Sequence, residues 1–419
     1  MKGKKEIYWR RLDNYAKLFP LASTKKYSSV FRFSVILKED INEYILKEAV
    51  KMALKKFKHF KVKLKKGLFW YYFETNYKDI KIEEENDYPC KYIDLPINND
   101  YLFKITYFKN KINIDMFHAL TDGNNAMHFL KEITYNYIEI KYYSNKQNDH
   151  TVERKIKYSD EDGYLKNYNK KLKPNAHEKK AYVLSGKKLP LDIRRVTHEI
   201  FEVDEIRKVA KKENATVTQF LLANLIYAIS EVGLKKSKSK RDIKICVPVN
   251  LRNYFLSNTA ANFFSYINVN VKKEECINYE DVLEKVKKEF KDKLTEEEMQ
   301  KTITKFMKIG NNVFLRILPL FIKKVIVQNV YREIRKYNTT TLSNIGRIGI
   351  ISKYREYIDG FLFLLAPESI EKIKCTACSY ENKLIFTIVS VLENKEVEKE
   401  FIKLLERKGI HAKIEGNGV

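Results

Sequence analysis

The spacing of apolar residues along this chain alternates between the period of a β-strand and the period of an α-helix. Val30–Leu37 predicts a buried strand, and residues 67–74 predict an aromatic strand. Residues 102–108 and 112–118 flank a short polar turn, which predicts a hairpin. Apolar residues then recur at steps of three and four over residues 126–137, which predicts an amphipathic helix. Strands and helices therefore follow one another closely, as they do in α/β proteins.

Two helices have clear start signals. Asp40, followed three residues later by Glu43, predicts the N-cap of a helix. Thr216 and Gln219 have the spacing of a capping box, and the helix they predict ends near Gly233. This second helix is apolar almost all round, so we expect it to be buried.

The order of predicted elements divides the chain into two similar halves. Residues 1–185 form the N-terminal half and residues 186–419 the C-terminal half, although no residue-level repeat relates them. Residues 144–192 are polar and rich in Lys and Asn, which predicts a crossover with at most one short helix. Two α/β layers joined by this crossover are the simplest architecture.

The composition favours a large folded core and a basic surface. Hydrophobic residues make up 44% of the 419 residues and aromatic residues 13%, which disfavours disorder. Lys and Arg number 80 against 54 Asp and Glu, giving a net charge of +26. Because the lysines are dispersed rather than gathered in one block, no nucleic-acid partner is expected. The charge would instead help to attract an anionic co-substrate.

The cysteines indicate a reducing compartment. Five cysteines, an odd number in a long chain, argue against a disulfide framework and predict a cytoplasmic protein. Cys375 and Cys378 form a C-x-x-C within a predicted strand. Residues three apart in a strand point to opposite faces, so neither metal ligation nor a redox pair is expected.

No transmembrane segment is expected. The N-terminus is charged and lacks the apolar stretch of a signal peptide. The longest apolar run, residues 313–330, is interrupted by Arg316, Pro319, Lys323 and Lys324. A packed or groove-lining helix is favoured here over weak peripheral contact with a membrane surface.

The predicted hairpin ends in a motif that suggests catalysis. His118, Asp122 and Gly123 have the spacing H-x-x-x-D-G at the point where a strand gives way to a helix. An imidazole braced by a carboxylate one turn away is an arrangement suited to a general base. A core histidine beside an aspartate that merely caps the helix fits the residues equally well.

Three separated segments resemble one enzyme superfamily. They are Phe117-His-Ala-Leu-Thr-Asp-Gly123, Val247-Pro-Val-Asn-Leu-Arg252 and Thr341-Leu-Ser-Asn-Ile-Gly-Arg347. In this order they are similar to segments of CoA-dependent acyltransferases with the chloramphenicol acetyltransferase-like fold, which include wax ester synthases and condensation domains. With the opening Tyr8-Trp-Arg-Arg-Leu-Asp-Asn14, the chain looks closest to the bacterial alcohol O-acetyltransferases. The resemblance implies two α/β sandwich subdomains that form a pseudo-dimer around a central cleft or tunnel.

The resemblance also implies a role for each site residue. His118 would be the catalytic general base, and Asp122 would pair with Arg252 to brace the loop rather than transfer protons. Gly123 would let the backbone approach the reacting carbonyl. Ser343 and Asn344 would stabilise the oxyanion or position the acyl group.

The implied activity is transfer of an acetyl or other short or medium acyl group from acyl-CoA to a small alcohol. It needs no metal, no permanently bound cofactor and no covalent intermediate. The alternatives are a condensation-type enzyme that uses a carrier protein, or an inactive binding module of the same fold. Phe117 stands where many relatives have a first histidine. The chain also has no D-F-G-W-G segment, and this second departure disfavours condensation domains.

Overall fold

The computed structural model describes residues 9–144, 159, 161–172, 179–190, 193–368 and 370–418. Its strands are β1 (Trp9–Arg11), β2 (Val30–Leu37), β3 (Val62–Lys66), β4 (Tyr71–Thr75), β5 (Ile82–Glu84), β6 (Phe103–Phe108), β7 (Lys111–Phe117), β8 (Arg195–Glu202), β9 (Ile243–Asn250), β10 (Phe264–Val271), β11 (Thr340–Arg347), β12 (Ile358–Leu365), β13 (Ile373–Tyr380), β14 (Lys383–Ser390) and β15 (Lys413–Gly416). Its α-helices are α1 (Leu18–Ala22), α2 (Glu43–Lys56), α3 (Gly123–Ile138), α4 (Gly163–Lys166), α5 (Val203–Lys212), α6 (Val217–Ile229), α7 (Tyr279–Lys293), α8 (Glu296–Gly310), α9 (Val313–Ile317), α10 (Leu320–Ile334) and α11 (Glu396–Glu406).

The strands form two large sheets, each with its own hydrophobic core. The first has the order β12-β2-β7-β6-β5 and packs against α2 and α3. The second has the order β10-β9-β11-β13-β14-β8-β15 and packs against α6, α7 and α11. A small sheet of order β1-β4-β3 stands apart from both. The mixed α/β class predicted from the sequence is therefore confirmed.

Strand β12 connects the two halves. It comes from the C-terminal half of the sequence but pairs antiparallel with β2 in the first sheet. The hydroxyl of Thr376 on β13 donates to the carbonyl of Phe363 on β12, so one face of the second sheet looks toward this strand. The cysteines of β13 follow the same alternation, since Cys375 lies in the second core and Cys378 in the first. The prediction that they point to opposite faces is confirmed.

Several predicted boundaries hold and two are wrong. Strand β2, the β6–β7 hairpin and the capping box of α6 lie where the sequence places them. Helix α2, however, is capped by Asn42 and not by Asp40, because the Asn42 side chain accepts from the backbone of Tyr44 and Ile45. The predicted strand at 67–74 begins only at Tyr71, since Gly67 donates to the carbonyl of Trp70 in a turn.

The predicted crossover lies partly outside the described residues. Residues 145–158, 160, 173–178, 191–192 and the N-terminal residues 1–8 are not described. In the described part, one short helix, α4, begins at Gly163, and the side chain of Asp162 caps it.

The apolar run at residues 313–330 is two helices rather than one. A break at Leu318 and Pro319 separates α9 from α10. The prediction of a packed helix is confirmed only for one stripe of buried residues. Most of the large apolar side chains of this run are exposed.

Among the described residues, Val217–Leu234 is the one helical segment that is long and apolar enough to cross a membrane. It contains α6, and most of its residues are buried in the second core. This is typical of the core helix of a globular protein.

Candidate active site

His118 lies at the junction of the two halves. It directly follows β7, and its backbone N–H donates to the carbonyl of Ser29 at 3.0 Å. Its own carbonyl accepts from Nδ2 of Asn262, which comes from the second half, at 3.0 Å. The main chain of His118 is therefore fixed from both sides.

The imidazole of His118 is enclosed by three aromatic rings. Phe19 stacks on it with a centroid distance of 5.0 Å and an interplanar angle of 12°. Phe31 approaches to 4.4 Å and Phe264 to 5.6 Å. The first two rings belong to the N-terminal half and the third to β10, so the slot exists only when the halves are together.

Burial keeps the imidazole neutral. Desolvation lowers the pKa of His118 to about 4, while the Asp122 carboxylate and the Asn262 amide favour the protonated form and oppose the shift. The Nδ1 atom of His118 and the Oδ1 atom of Asn262 are both buried, and neither has a hydrogen bond of standard geometry to a described residue. Nε2 is the ring nitrogen left for chemistry.

Asp122 and Arg252 form the ion pair that the sequence predicts. Nη1 of Arg252 donates to Oδ2 of Asp122 at 2.7 Å, and the two side chains are 14% and 4% exposed. The same Oδ2 accepts from the backbone N–H of Phe263, while Oδ1 caps α3 by accepting from Asn125. Asp122 is thus both a helix cap and the partner of an arginine from the other half.

The loop before β10 closes the junction between the halves. Nη2 of Arg252 donates to the carbonyls of Thr259 and Ala261. From the first half, the side chain of Asn125 donates to the same two carbonyls. The hydroxyl of Thr121 donates to the carbonyl of Ala260 at 2.8 Å. The residues after His118 therefore bind the second half at several points.

Sequence reasoning gave no role to Asp13 and Asn262. The Asp13 carboxylate accepts from the backbone of Tyr15 and Ala16 and from both the backbone and the amide of Asn262. Burial, followed by the charge of Asp162, raises the pKa of Asp13 to about 6. Asp13 thus orients the amide that lies behind His118. Asp13 lies in the opening segment that carries the resemblance, but spacing alone does not reveal its contact with Asn262.

The two residues predicted to face the reacting carbonyl lie on opposite faces of β11. Ser343 shares a face with Thr341 and is paired in register with Thr376, on the side that looks toward the first half. Asn344 is on the other face, where Nδ2 donates to the hydroxyl of Thr218 and Oδ1 accepts from the backbone of Gly346. One amide proton of Asn344 is therefore donated to Thr218, and the oxyanion or acyl-positioning role stays a prediction for both residues.

Gly123 does not need to be glycine for steric reasons. It is the first residue of α3, and an added Cβ would make ordinary contact with the ring of Phe33 at 3.7 Å. Its missing side chain opens space toward Phe33, so the predicted close approach to the reacting carbonyl has no support at this position.

A basic cavity lies beside β10. It has a volume of about 300 Å³ and lies next to Tyr266, two residues along the strand from Phe264. Phe306 lies between Tyr266 and the N-terminal half, since the centroid of its ring is 6.1 Å from that of Tyr266 and 4.6 Å from that of Tyr15. The cations that line the cavity are Lys244, Lys293, Lys301 and Lys305.

We expect the buried histidines to make the protein sensitive to acid. Burial lowers the pKa of His118 and His198 to about 4 and that of His59 to about 3. Between about pH 6.5 and 4 the unfolded chain therefore binds more protons than the folded protein. The free energy of unfolding falls as the pH falls, by ~1.4 kcal/mol per pH unit for each of these histidines. Asp13, with its raised pKa, partly opposes this trend.

A comparison with His118→Phe isolates one group in this titration. Urea unfolding between pH 7 and 5 should show that the free energy of unfolding depends less steeply on pH in the variant than in wild type. The difference in slope should correspond to up to about one proton taken up on unfolding. Equal slopes would contradict a neutral buried His118.

The comparison with known families now identifies the chain. The family model described as alcohol acetyltransferase matches residues 191–408, more than half of the sequence. The chain belongs to the alcohol acetyltransferase family. The matched region contains Arg252 and Ser343, and the base candidate His118 lies before it. No curated protein matches the chain.

Solved structures show the fold of this alcohol acetyltransferase family member. Trichothecene 15-O-acetyltransferase TRI3 from Fusarium sporotrichioides is 11% identical with a TM-score of 0.62, over 96% of this chain and 94% of that one. TRI101 from F. graminearum, complexed with coenzyme A and deoxynivalenol, is 11% identical with a TM-score of 0.63, over 97% and 99%. The epimerization domain of the third module of tyrocidine synthetase B is 12% identical with a TM-score of 0.58, over 96% and 97%. The predicted chloramphenicol acetyltransferase-like fold is therefore confirmed.

Proposed function

We propose that the protein transfers an acyl group, acetyl or another short or medium one, from acyl-CoA to the hydroxyl of a small alcohol. Nε2 of His118 takes the hydroxyl proton as the alcohol oxygen attacks the thioester carbonyl carbon. The tetrahedral intermediate then expels the CoA thiolate, the C–S bond breaks, and the thiolate takes the proton back from His118. The new ester leaves with no covalent acyl-enzyme.

The neutral imidazole between the two halves is the observation that carries this proposal. An alcohol is a weak nucleophile at pH 7, so it requires a base that is already unprotonated. His118 meets this requirement because burial lowers its pKa to about 4. Its main chain is fixed by Ser29 and Asn262, so the ring is held before substrate arrives.

The surrounding residues take supporting roles in this proposal. Asp122 and Arg252 hold the loop that carries the base, and they exchange no proton with the substrate. Ser343, on the face of β11 toward the first half, is the candidate donor to the developing oxyanion. Asn262 holds the main chain of the base, because its amide donates to the carbonyl of His118.

The basic cavity is the candidate site for the phosphates of CoA. Lys293 and Lys301 are paired with glutamates. Lys305 has no carboxylate partner among the residues that the structure describes and so is available for a phosphate. The TRI101 structure, which has the same fold, contains coenzyme A, and this supports CoA as the donor for this chain.

A thiol-release assay tests the proposal. Purified protein is incubated with acetyl-CoA and a panel of primary and secondary alcohols, and free CoA and ester are measured by mass spectrometry. Equal amounts of both, dependent on the alcohol, are expected. Release of neither across broad donor and acceptor panels would contradict the proposal and favour an inactive binding module.

The choice of donor is tested in the same assay. If the cavity binds the nucleotide end of CoA, Lys305→Ala should raise the KM for acetyl-CoA several-fold and leave that for acetyl-pantetheine unchanged. Lys308→Ala is the matched control, since Lys308 follows on the same helix but donates to the carbonyl of Leu172 outside the cavity. Faster transfer from an acylated carrier protein than from acyl-CoA would favour the condensation-type alternative.

We also propose a cytoplasmic location. None of the five cysteines, all of which lie in the described part of the chain, forms a disulfide bond, as expected in a reducing compartment.

A further inference from the structure

Helices α9 and α10 and the turn before β4, which is hydrogen-bonded to the start of α10, present many exposed apolar side chains. We call this set of side chains the apolar face. Its most exposed members are Phe314 at 77%, Phe321 at 72% and Leu68 at 71%. The complete set is Leu68, Phe69, Val313, Phe314, Ile317, Phe321, Ile322, Val325 and Ile326. Exposed apolar surfaces of this kind mark sites of interaction with proteins or membranes.

The apolar face is a fixed part of the fold. The backbone of Leu320 donates to the carbonyl of Leu68 at 3.0 Å, and Nζ of Lys323 donates to the carbonyl of Phe69 at 2.7 Å. The ammonium group of Lys323 also lies 3.5 Å from the ring centroid of Trp70. Helix α10 is therefore anchored through one buried stripe, and its other side presents the apolar residues outward.

Positive charge surrounds the apolar face. Residues 313–332, which form α9 and most of α10, contain four Lys or Arg and no Asp or Glu. Arg316 and Lys324 are exposed among the apolar side chains, and the exposed Lys65 and Lys66 lie just before Gly67 and Leu68. Exposed apolar side chains with interspersed cations are the pattern of a helix that lies in the interface of an anionic bilayer.

We propose that the apolar face docks the protein on an anionic phospholipid bilayer. The charge distinguishes the bilayer from a second copy of this chain, because each copy carries a net charge of +26 and would bring like charges together. The side chains of Phe314 and Phe321 project outward with most of their surface free, which suits insertion between lipid headgroups.

Docking would bring the active site close to the bilayer. Leu21 and Ala22 of α1 pack against Leu320 and Val327 of α10. Phe19 of the same short helix stacks on the imidazole of His118. One helix therefore separates the base from the docked surface.

Vesicle flotation tests the docking without reference to activity. The full chain is mixed with vesicles of phosphatidylcholine and phosphatidylglycerol in equal parts, or of phosphatidylcholine alone. Wild type should float with the anionic vesicles, and the double variant Phe314→Ser/Phe321→Ser should bind at least about tenfold less. Arg316→Gln/Lys324→Gln should also bind less and lose most of the salt dependence of binding. Leu256→Ser, which removes a leucine that is 91% exposed elsewhere, should bind like wild type.

Three outcomes would overturn the proposal. The first is wild type that stays unbound with both vesicles, and the second is equal flotation of wild type and the Phe double variant. The third is a wild-type dimer, detected by light scattering, that is absent in the Phe double variant. Such a dimer would make the apolar face an interface between copies of this chain. Thermal melting of each variant verifies that these exposed substitutions leave the fold intact.

Discussion

Replacing His118 with alanine is expected to lower turnover with acetyl-CoA and alcohol by about 10²–10⁴-fold, the contribution of an aligned general base. The imidazole is neutral, its main chain is fixed by Ser29 and Asn262, and its ring is enclosed by aromatic side chains. An alcohol bound beside it would have no other neutral base among the described site residues. The effect should fall on kcat, with a smaller change in the KM for either substrate.

Two controls accompany this measurement. His411→Ala removes an exposed histidine near the C-terminus and should leave turnover unchanged. Thermal unfolding of His118→Ala should show a folded protein, since the main-chain hydrogen bonds of residue 118 to Ser29 and Asn262 do not depend on its side chain. Full activity in a folded His118→Ala variant would refute the general-base role.

The Asp122→Asn substitution is expected to lower stability and activity together. Asparagine keeps an oxygen to cap α3 but removes the charge opposite Arg252. Removing one partner of a buried ion pair leaves an uncompensated charge, and a loss of about 3 kcal/mol in the free energy of unfolding is expected. Because the loop after His118 would then shift, turnover should fall by up to about 10²-fold.

A double-mutant cycle separates the ion pair from other effects. The cycle uses Asp122→Asn, Arg252→Gln and both together, and urea unfolding should give a coupling of about 1–3 kcal/mol. Glu48→Gln is the matched control, since Glu48 and Lys51 form an exposed pair on α2 that should contribute less than about 1 kcal/mol. An unchanged free energy of unfolding in Asp122→Asn would contradict the bracing role.

Local signals were sufficient to predict most of the fold. The hairpin before His118 and the capping box of Thr216 depend on neighbouring residues, and both lie where predicted. Strand β12 could not be predicted to join the first sheet, because its pairing with β2 connects residues more than 300 positions apart. The choice of Asn42 over Asp40 as N-cap also depends on tertiary contact, since the neighbouring Ile41 donates to the carbonyl of Lys109 in the hairpin turn.

The same distinction holds for the candidate site. The resemblance paired Asp122 with Arg252 correctly, because both occur within recognisable motifs. Neighbouring residues on a strand face opposite sides, so Ser343 and Asn344 lie on different faces of β11, and the amide of Asn344 donates to the hydroxyl of Thr218. The roles predicted for these two residues stay predictions. The Asp13–Asn262 contact joins distant segments and carries no local signal.

The general-base role of His118 is tested most directly by varying the acidity of the acceptor. Turnover of wild type and His118→Ala is compared for the best alcohol of the panel and for its fluorinated, more acidic analogue. A more acidic hydroxyl needs less help from a base, so the ratio of wild-type to variant turnover should fall by about tenfold or more for the analogue. An equal ratio for both alcohols would contradict proton abstraction by His118 and reduce its role to positioning.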